Sequence, residues 1–318
     1  MQKKAHKVKN LELAEGIKSG DFRMLAKAIT LVENGDRHSE NLLSLLYPAV
    51  QKSYRVGVTG PPGAGKSTLV SRLVKLFRQQ GKRVGVIAVD PTSPFSGGAV
   101  LGDRIRMSEL TTDQGTFIRS MATRGSTGGL SRTAQDVADL MAAAGFDVII
   151  YETVGVGQGE LDVAQASDST VVVLVPESGD SIQAMKAGLM EIADIFVINK
   201  SDRDGAEKMK VELEMVLQLK TVQSGWKTPI IKTIASEGTG LEQLFLVLQE
   251  HRLYIEKMHI LKNKLSDRIR DKIHHLVRSE LEQNFWTTER KKLLNINLKT
   301  VLDRKLSPYS LVRKIIKF

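Results

Sequence analysis

The chain has no cysteine, no histidine between residues 39 and 250, and no apolar run long enough to span a bilayer. Each absence excludes something. Without cysteine there are no disulfides, iron–sulfur clusters or thiolate metal sites. The six histidines, His6, His38, His251, His259, His274 and His275, all fall outside the long central stretch. That stretch therefore offers neither a soft-metal relay nor an imidazole base. No signal-peptide-like apolar segment follows the Lys-rich start, so a soluble cytoplasmic protein is expected. Internal repeats and low-complexity segments are also missing.

What is present is uneven in charge. Of 46 Lys/Arg and 36 Asp/Glu, residues 251–318 hold 17 and 7, leaving 29 of each in residues 1–250. The formal charge of +10 thus belongs to the C-terminal region. A basic region of this kind suits nucleic acid, an acidic protein surface, a second subunit, or simply a solvated helix face. It carries Phe285, Trp286 and Tyr309 but no recognisable RNA-binding module, so nucleic acid is not expected as a partner. The length of 318 residues allows one large or two ordinary domains, and 42% apolar content is ample for a packed core.

The most informative stretch is Tyr54 to Val70, YRVGVTGPPGAGKSTLV. Short apolar residues around Val56 and Val58 read as a buried strand. Gly60, Pro61, Pro62, Gly63, Ala64, Gly65, Lys66 and Ser67 then fit G-x-x-x-x-G-K-[ST], and Thr68 leads into a helical pattern at Leu69, Val70, Leu73, Leu76 and Phe77. A chain this long meets the pattern by chance on the order of 1% of the time, before the correct flanks are counted. Glycines let backbone N–H groups wrap a polyphosphate, and the helix start adds unpaired donors. Lys66 is placed to bring a full positive charge to the β- and γ-phosphates, and Ser67 to offer a hydroxyl to Mg²⁺.

Around this motif the pattern alternates strand and helix. Strands are expected at 83–90, 116–120, 147–152, 169–175, 195–199 and 229–234, with helices at about 103–111, 132–144, 181–192 and 205–220. From Leu241 the pattern is helical almost to the end. Near-continuous apolar strands separated by helices imply an α/β fold, a doubly wound, mainly parallel sheet covered on both faces. Before it, residues 10–50 read as two or three short helices, with Asp21 and Ser39 as candidate caps and Pro48 as a stop. The expected organisation is a helical extension at 1–50, a nucleotide domain at 51–250 and a helical dimerisation or partner region at 251–318.

Ligands of such sheets bind at the carboxyl ends of the strands, and that is where the remaining chemistry falls. Asp90 and Glu152 close two strands, and Asp103 begins the expected helix at 103–111; all three are candidates for Mg²⁺ or its water shell. Asn199-Lys200-Ser201-Asp202 fits N-K-x-D after a buried strand. An aspartate there accepts from the guanine N1–H and 2-amino group, two donors adenine does not present, so Asp202 is expected to read the base. Ile234-Ala235-Ser236 follows the next strand, and Ala235 is expected to offer a backbone N–H to the guanine 6-oxygen. Glycine-rich loops at 91–102 and 152–159 start beside the expected γ-phosphate and suit switch segments. A third candidate, 176–188, contains Lys186.

Taken together, GPPGAGKST at 60–68, DPTSPFSGGAVLGDRIRM at 90–107, ETVGVGQGE at 152–160, PESGDSIQAMKAGLMEIADI at 176–195 and NKSD at 199–202 closely resemble the MeaB/ArgK-type family, the methylmalonyl-CoA mutase-associated GTPases. The resemblance implies a SIMIBI-class P-loop GTPase that uses GTP, GDP and Mg²⁺, and that usually forms a homodimer through C-terminal helices. It further implies a chaperone of an adenosylcobalamin-dependent acyl-CoA mutase, gating cofactor loading and protecting or reactivating the mutase. By the same resemblance Lys66 contacts phosphates, Ser67, Asp90, Asp103 and Glu152 serve the metal and the first switches, and Lys186 lies in a third, partner-sensitive one. The Ile234-Ala235-Ser236 loop departs from a clear Ser-Ala-Lys pattern. Competing readings are an ATP-dependent kinase associated with basic amino-acid transport, which the N-K-x-D aspartate opposes, and a metal-delivery GTPase, which the missing Cys and His oppose.

Overall fold

A computed structural model describes residues 2–90, 110, 112–122, 132–153, 159–176, 187–219 and 225–318. Its centre is a seven-stranded sheet made of β1 (Tyr54–Thr59), β2 (Val84–Asp90), β3 (Thr116–Ala122), β4 (Val148–Thr153), β5 (Ser169–Leu174), β6 (Ile195–Asn199) and β7 (Ile230–Thr233). The spatial order is β3-β2-β4-β1-β5-β6-β7, and every adjacent pair is parallel. This is the doubly wound architecture that the strand composition implies. In register, Tyr54 lies opposite Val148, and Val56 opposite Ser169.

Parallel strands joined by crossovers are buried on both faces, which is why each reads as a continuous apolar run rather than an alternating one. One face packs Ile87, Val89, Ile149 and Tyr151 beneath helices α1 (Gln2–Lys18), α2 (Phe22–Glu33), α3 (Arg37–Leu46), α5 (Arg132–Ala143) and α6 (Gly159–Ala166). The other face packs Val56, Val58, Val86 and Ile150 beneath α4 (Lys66–Gln79) and α9 (Leu241–Lys257). A third cluster sets Val172, Leu174, Phe196 and Ile198 against α7 (Ala187–Ile192) and α8 (Ala206–Leu219). The chain falls into two compact units, Met1–Lys264 and Leu265–Phe318, so the N-terminal helices share a unit with the sheet.

The helix ends follow local chemistry. Asp21 caps α2 as expected, its carboxylate accepting from the Arg23 and Met24 amides at 2.7 and 3.1 Å. Ser39 does not cap α3. It lies within the first turn, and its hydroxyl donates to the Asp36 carbonyl at 2.6 Å, because the helix has already begun at Arg37. Helix α2 is also tied to the edge strand β3 by an Arg119–Glu33 ion pair. Beyond α9 come α10 (Ile260–Phe285), α11 (Thr288–Leu302) and α12 (Pro308–Lys317). Among the described residues, no helix is long and apolar enough to cross a membrane. All of the expected helix at 103–111 except residue 110, together with Asp103, Lys186 and the stretches 91–102 and 154–158, lies outside the described residues. So does the 177–186 part of the third candidate switch.

Candidate functional site

Strand β1 leads on one side to β2 and β4 and on the other to β5, β6 and β7, so its carboxyl end is a topological switch point. The glycine loop leaves the sheet there. Two of its glycines are required by space as well as by conformation. Gly60 has φ +138°, and a Cβ would lie 2.0 Å from the Val173 carbonyl oxygen of β5. Gly65 has φ +84°, and a Cβ would lie 2.3 Å from the Asn199 amide nitrogen. A side chain at Gly60 would push the loop off β5, and one at Gly65 would displace the Asn199 side chain. Helix α4 begins at Lys66, directing its first N–H groups and positive dipole end into the loop.

Lys66 is 5% exposed and donates through Nζ to the Gly60 and Pro61 carbonyls at 2.9 and 2.8 Å. Its charge is therefore held within the loop, beside the start of α4. The Ser67 hydroxyl donates to Glu152 Oε1 at 2.5 Å, joining the start of α4 to the end of β4. Beside them the Thr59 and Thr153 hydroxyls, at the ends of β1 and β4, are 3.0 Å apart and buried. Asp90 ends β2, the neighbour of β4. Ser67 and Glu152 form an all-oxygen pair, the donor type that suits Mg²⁺. Among the described residues there is no cluster of three or more His, Cys, Asp or Glu side chains that would hold a metal unaided. A phosphate-assisted magnesium site does not need such a cluster.

Asn199 joins the two halves of the rim. Its amide Nδ2 donates to the Ala64 carbonyl in the phosphate loop at 2.8 Å. Its Oδ1 accepts from the Thr233 hydroxyl at 3.0 Å and from the Ala235 N–H at 3.0 Å. One buried side chain thus fixes the phosphate loop, the end of β7 and the loop after it. The sequence pattern marks Asn199 as part of N-K-x-D but hides these partners, which are 135, 34 and 36 residues away. The Ala235 N–H, expected to face a guanine 6-oxygen, is directed to Asn199 instead. Lys200 has φ +56°, an uncommon conformation for a side-chain-bearing residue, and the turn it makes leaves Asp202 exposed. Ser236 is exposed beside it, and its carbonyl accepts from Arg72 Nη2 at 2.7 Å.

The comparisons with known proteins agree with this geometry. The family model described as methylmalonyl Co-A mutase-associated GTPase MeaB matches residues 25–290. The chain belongs to the MeaB family. A protein of Pyrococcus abyssi described as a putative GTPase is 46% identical over 309 residues, covering 96% of this chain and 95% of that one. The Escherichia coli GTPase ArgK is 40% identical over 244 residues, covering 73% of this chain and 74% of that protein. A mouse protein, the methylmalonic aciduria type A homolog, mitochondrial, is 39% identical over 256 residues, covering 75% of this chain and 62% of its own length. Among solved structures, one described as an LAO/AO transport system kinase superposes with a TM-score of 0.73 at 28% identity, covering 98% of this chain and 97% of that one. The family match, over residues 25–290, spans both the phosphate loop and the N-K-x-D stretch.

The far end of the sheet holds other polar features. An open groove of about 460 Å³, lined by Gly20, Phe22, Arg83, Asp113 and neighbours, lies by the amino ends of β2 and β3. Its charged groups are engaged: Arg83 donates to the Ala144 carbonyl at 2.7 Å. Asp113 is held at a pKa of about 2, chiefly by its hydrogen bond from Arg78. The histidine-free character of the central sequence needs a correction in space. His251, on α9, is buried in the sheet unit, with Nδ1 2.6 Å from the hydroxyl of Ser169, the first residue of β5. The unit does contain an imidazole, at the end opposite the phosphate loop.

Proposed function

We propose that this MeaB-family protein binds guanine nucleotide at the carboxyl rim and hydrolyses GTP to GDP and phosphate. We further propose that it works in the cytoplasm as a chaperone of an adenosylcobalamin-dependent acyl-CoA mutase. The observation that carries the reading is the Asn199 junction. One buried side chain bonds the phosphate loop at Ala64 and the base-side loop at Ala235. Phosphate grip and base recognition are thereby set at a fixed separation.

In this reading the backbone N–H groups from Gly60 to Ser67 and the Lys66 ammonium hold the phosphates. Ser67 and Glu152, with Asp90 and Asp103, would hold Mg²⁺, which would supply positive charge against the phosphates. Asp202 accepts from the guanine N1–H and 2-amino group. Water attacks the γ-phosphorus and the bond to the β,γ-bridging oxygen breaks. The chain contributes positioning and fixed charge rather than an imidazole base, since no histidine lies at the rim among the described residues. Lys186 is assigned to a partner-sensitive switch.

The C-terminal unit is assigned to homodimerisation. Its buried apolar side chains are Leu311 and Ile315, while Val277, Leu281, Ile296, Leu302 and Tyr309 are more than half exposed. Apolar surface on this scale is normally covered by a partner.

Calorimetric titration with GTP, GDP and ATP in the presence of Mg²⁺ tests the site. Tight guanine binding with weak ATP binding is expected. Equal affinity for ATP would favour a kinase, the activity by which the superposed structure is described. Hydrolysis should be slow alone and faster with the mutase, and equal turnover in both conditions would remove the chaperone coupling.

A further inference from the structure

The base-side loop between β7 and α9 is held at its root by the N-K-x-D asparagine and on its outer side by a residue of α4 that no nucleotide motif includes. At its root, Ala235 donates its N–H to Asn199. The loop then closes on itself: the Ile234 N–H donates to the Thr239 carbonyl at 3.1 Å and the Gly238 N–H to the Ile234 carbonyl at 2.9 Å. Gly240 ends it at φ +74°, where a Cβ would lie 2.1 Å from the Lys232 carbonyl oxygen. The exposed outer residue of this unit, Ser236, is bound from outside by Arg72 through its carbonyl at 2.7 Å. Arg72 stands in the second turn of α4, the helix that begins at the phosphate loop. Further along, α4 and α9 are locked by Phe77 and Phe245, with ring centroids 4.8 Å apart.

We infer that Arg72 is a positioning residue for guanine recognition, tethering the base-side loop to the phosphate-loop helix. The inference rests on the nucleotide reading above and adds a specificity role within the same site. The loop is stiff internally, so its freedom is to swing as a body about its roots. The Arg72–Ser236 bond opposes that swing, and recognition of a base edge by hydrogen bonds tolerates only about 0.5 Å of displacement. The phosphate side does not depend on this bond. Lys66 is bonded to the Gly60 and Pro61 carbonyls, Gly60 lies against Val173 of β5, and Asn199 holds Ala64. Removing Arg72 should therefore weaken binding of the base and spare binding of the phosphates.

The test uses the full-length protein with Mg²⁺ and compares wild type, Arg72→Ala and Arg72→Lys. The ligands are GDP, ADP and inorganic pyrophosphate, and thermal unfolding without ligand is measured alongside. For Arg72→Ala, GDP affinity should fall about tenfold, the order expected for one hydrogen bond from a charged donor. Pyrophosphate affinity should not change, and the GDP-to-ADP preference should shrink. Arg72→Lys, which keeps a cationic donor, should recover part of the loss and also serves if the alanine variant does not fold. Unchanged GDP affinity in Arg72→Ala would overturn the tether while leaving the nucleotide site standing. An equal loss for GDP and pyrophosphate would also overturn it, as a general weakening of α4. A wild type with no preference for GDP over ADP would overturn the reading beneath it and the tether with it.

Discussion

The two ends of the sheet each bury a polar network, and they differ in what the networks leave over. At the amino end, the Tyr54 hydroxyl is 2.6 Å from the Ser169 hydroxyl and 3.0 Å from the Leu248 carbonyl. Ser169 meets His251 Nδ1, and His251 Nε2 is 3.5 Å from Asp194 Oδ1. The Asp194 carboxylate also accepts from the Thr170 amide at 2.8 Å, and its carbonyl accepts from Trp226 Nε1 at 3.0 Å. Lys264 donates to the Asp168 carbonyl at 2.8 Å. Every step runs from one part of the fold to another. At the carboxyl end the bonds instead brace a glycine loop around the buried Lys66, and the neighbouring loop after β6 leaves Asp202 exposed. A serine, a histidine and an aspartate in a row, as at the amino end, are thus not a catalytic triad. Ser169 is fully buried, and its hydroxyl is shared between Tyr54 and His251. A functional rim is marked by polar groups that face outward from a rigid scaffold, not by the number of polar groups.

Asn199 is the place to break this comparison, because scaffold and site coincide there. Asn199→Ala removes three buried hydrogen bonds and strands the Ala235 N–H and the Thr233 hydroxyl. A stability loss of about 2–4 kcal/mol is expected, together with a loss of GDP affinity. Denaturant unfolding and calorimetry on the same preparation measure both, and a fall in only one would show the two roles to be separable. Lys66→Ala should sharpen the comparison. GDP affinity should drop roughly a hundredfold from loss of a charged phosphate contact, with a smaller stability loss than in Asn199→Ala, because the ammonium's bonds to the Gly60 and Pro61 carbonyls lie within its own loop rather than across the rim. A large stability loss in this variant would assign Lys66 to the scaffold.

The same contrast explains which features are legible in the sequence alone. The strands are legible because burial on both faces makes runs such as Val171-Val172-Val173 unmistakable. The phosphate loop is legible because its constraint is local, from Gly60 to Ser67. N-K-x-D is legible as a pattern, but Asn199's partners are not, since parallel neighbours are brought together by crossovers of unspecified path. Arg72 gives no signal: an arginine on a helix surface looks like any solvated charge. The amino-end network is invisible for the same reason. Tyr54, Ser169, Asp194 and His251 become neighbours only once β1, β5 and β6 are placed side by side and α9 is laid across their starts.

At the amino end the expected effects are smaller and fall on stability alone. Tyr54→Phe removes a hydroxyl bonded to both Ser169 and Leu248, and should cost about 1–2 kcal/mol while leaving GDP affinity unchanged. A change in GDP affinity would mean that the two rims communicate along β1, whose six residues span roughly 20 Å.

The smallest effect is the titration of His251. Burial lowers its pKa below 6.5; Asp194 and, more weakly, Asp168 oppose that shift, and Lys264 reinforces it. Nδ1 lies 2.6 Å from the Ser169 hydroxyl and Nε2 3.5 Å from Asp194 Oδ1, so a neutral imidazole with its proton on Nε2 would face the carboxylate and leave Nδ1 to accept. A base whose folded pKa is depressed is protonated more readily in the unfolded chain, so the unfolded state binds more protons below pH 6.5. Stability is therefore retained above that pH and lost as the pH falls through it. One group contributes a slope of at most about 1.4 kcal/mol per pH unit. Denaturant unfolding at pH 7.5, 6.5 and 5.5 should show this slope in the wild type and a shallower one in His251→Gln, whose side chain does not titrate. Equal slopes would mean that the imidazole is protonated alike in both states, and that Asp194 and Asp168 offset the burial in full.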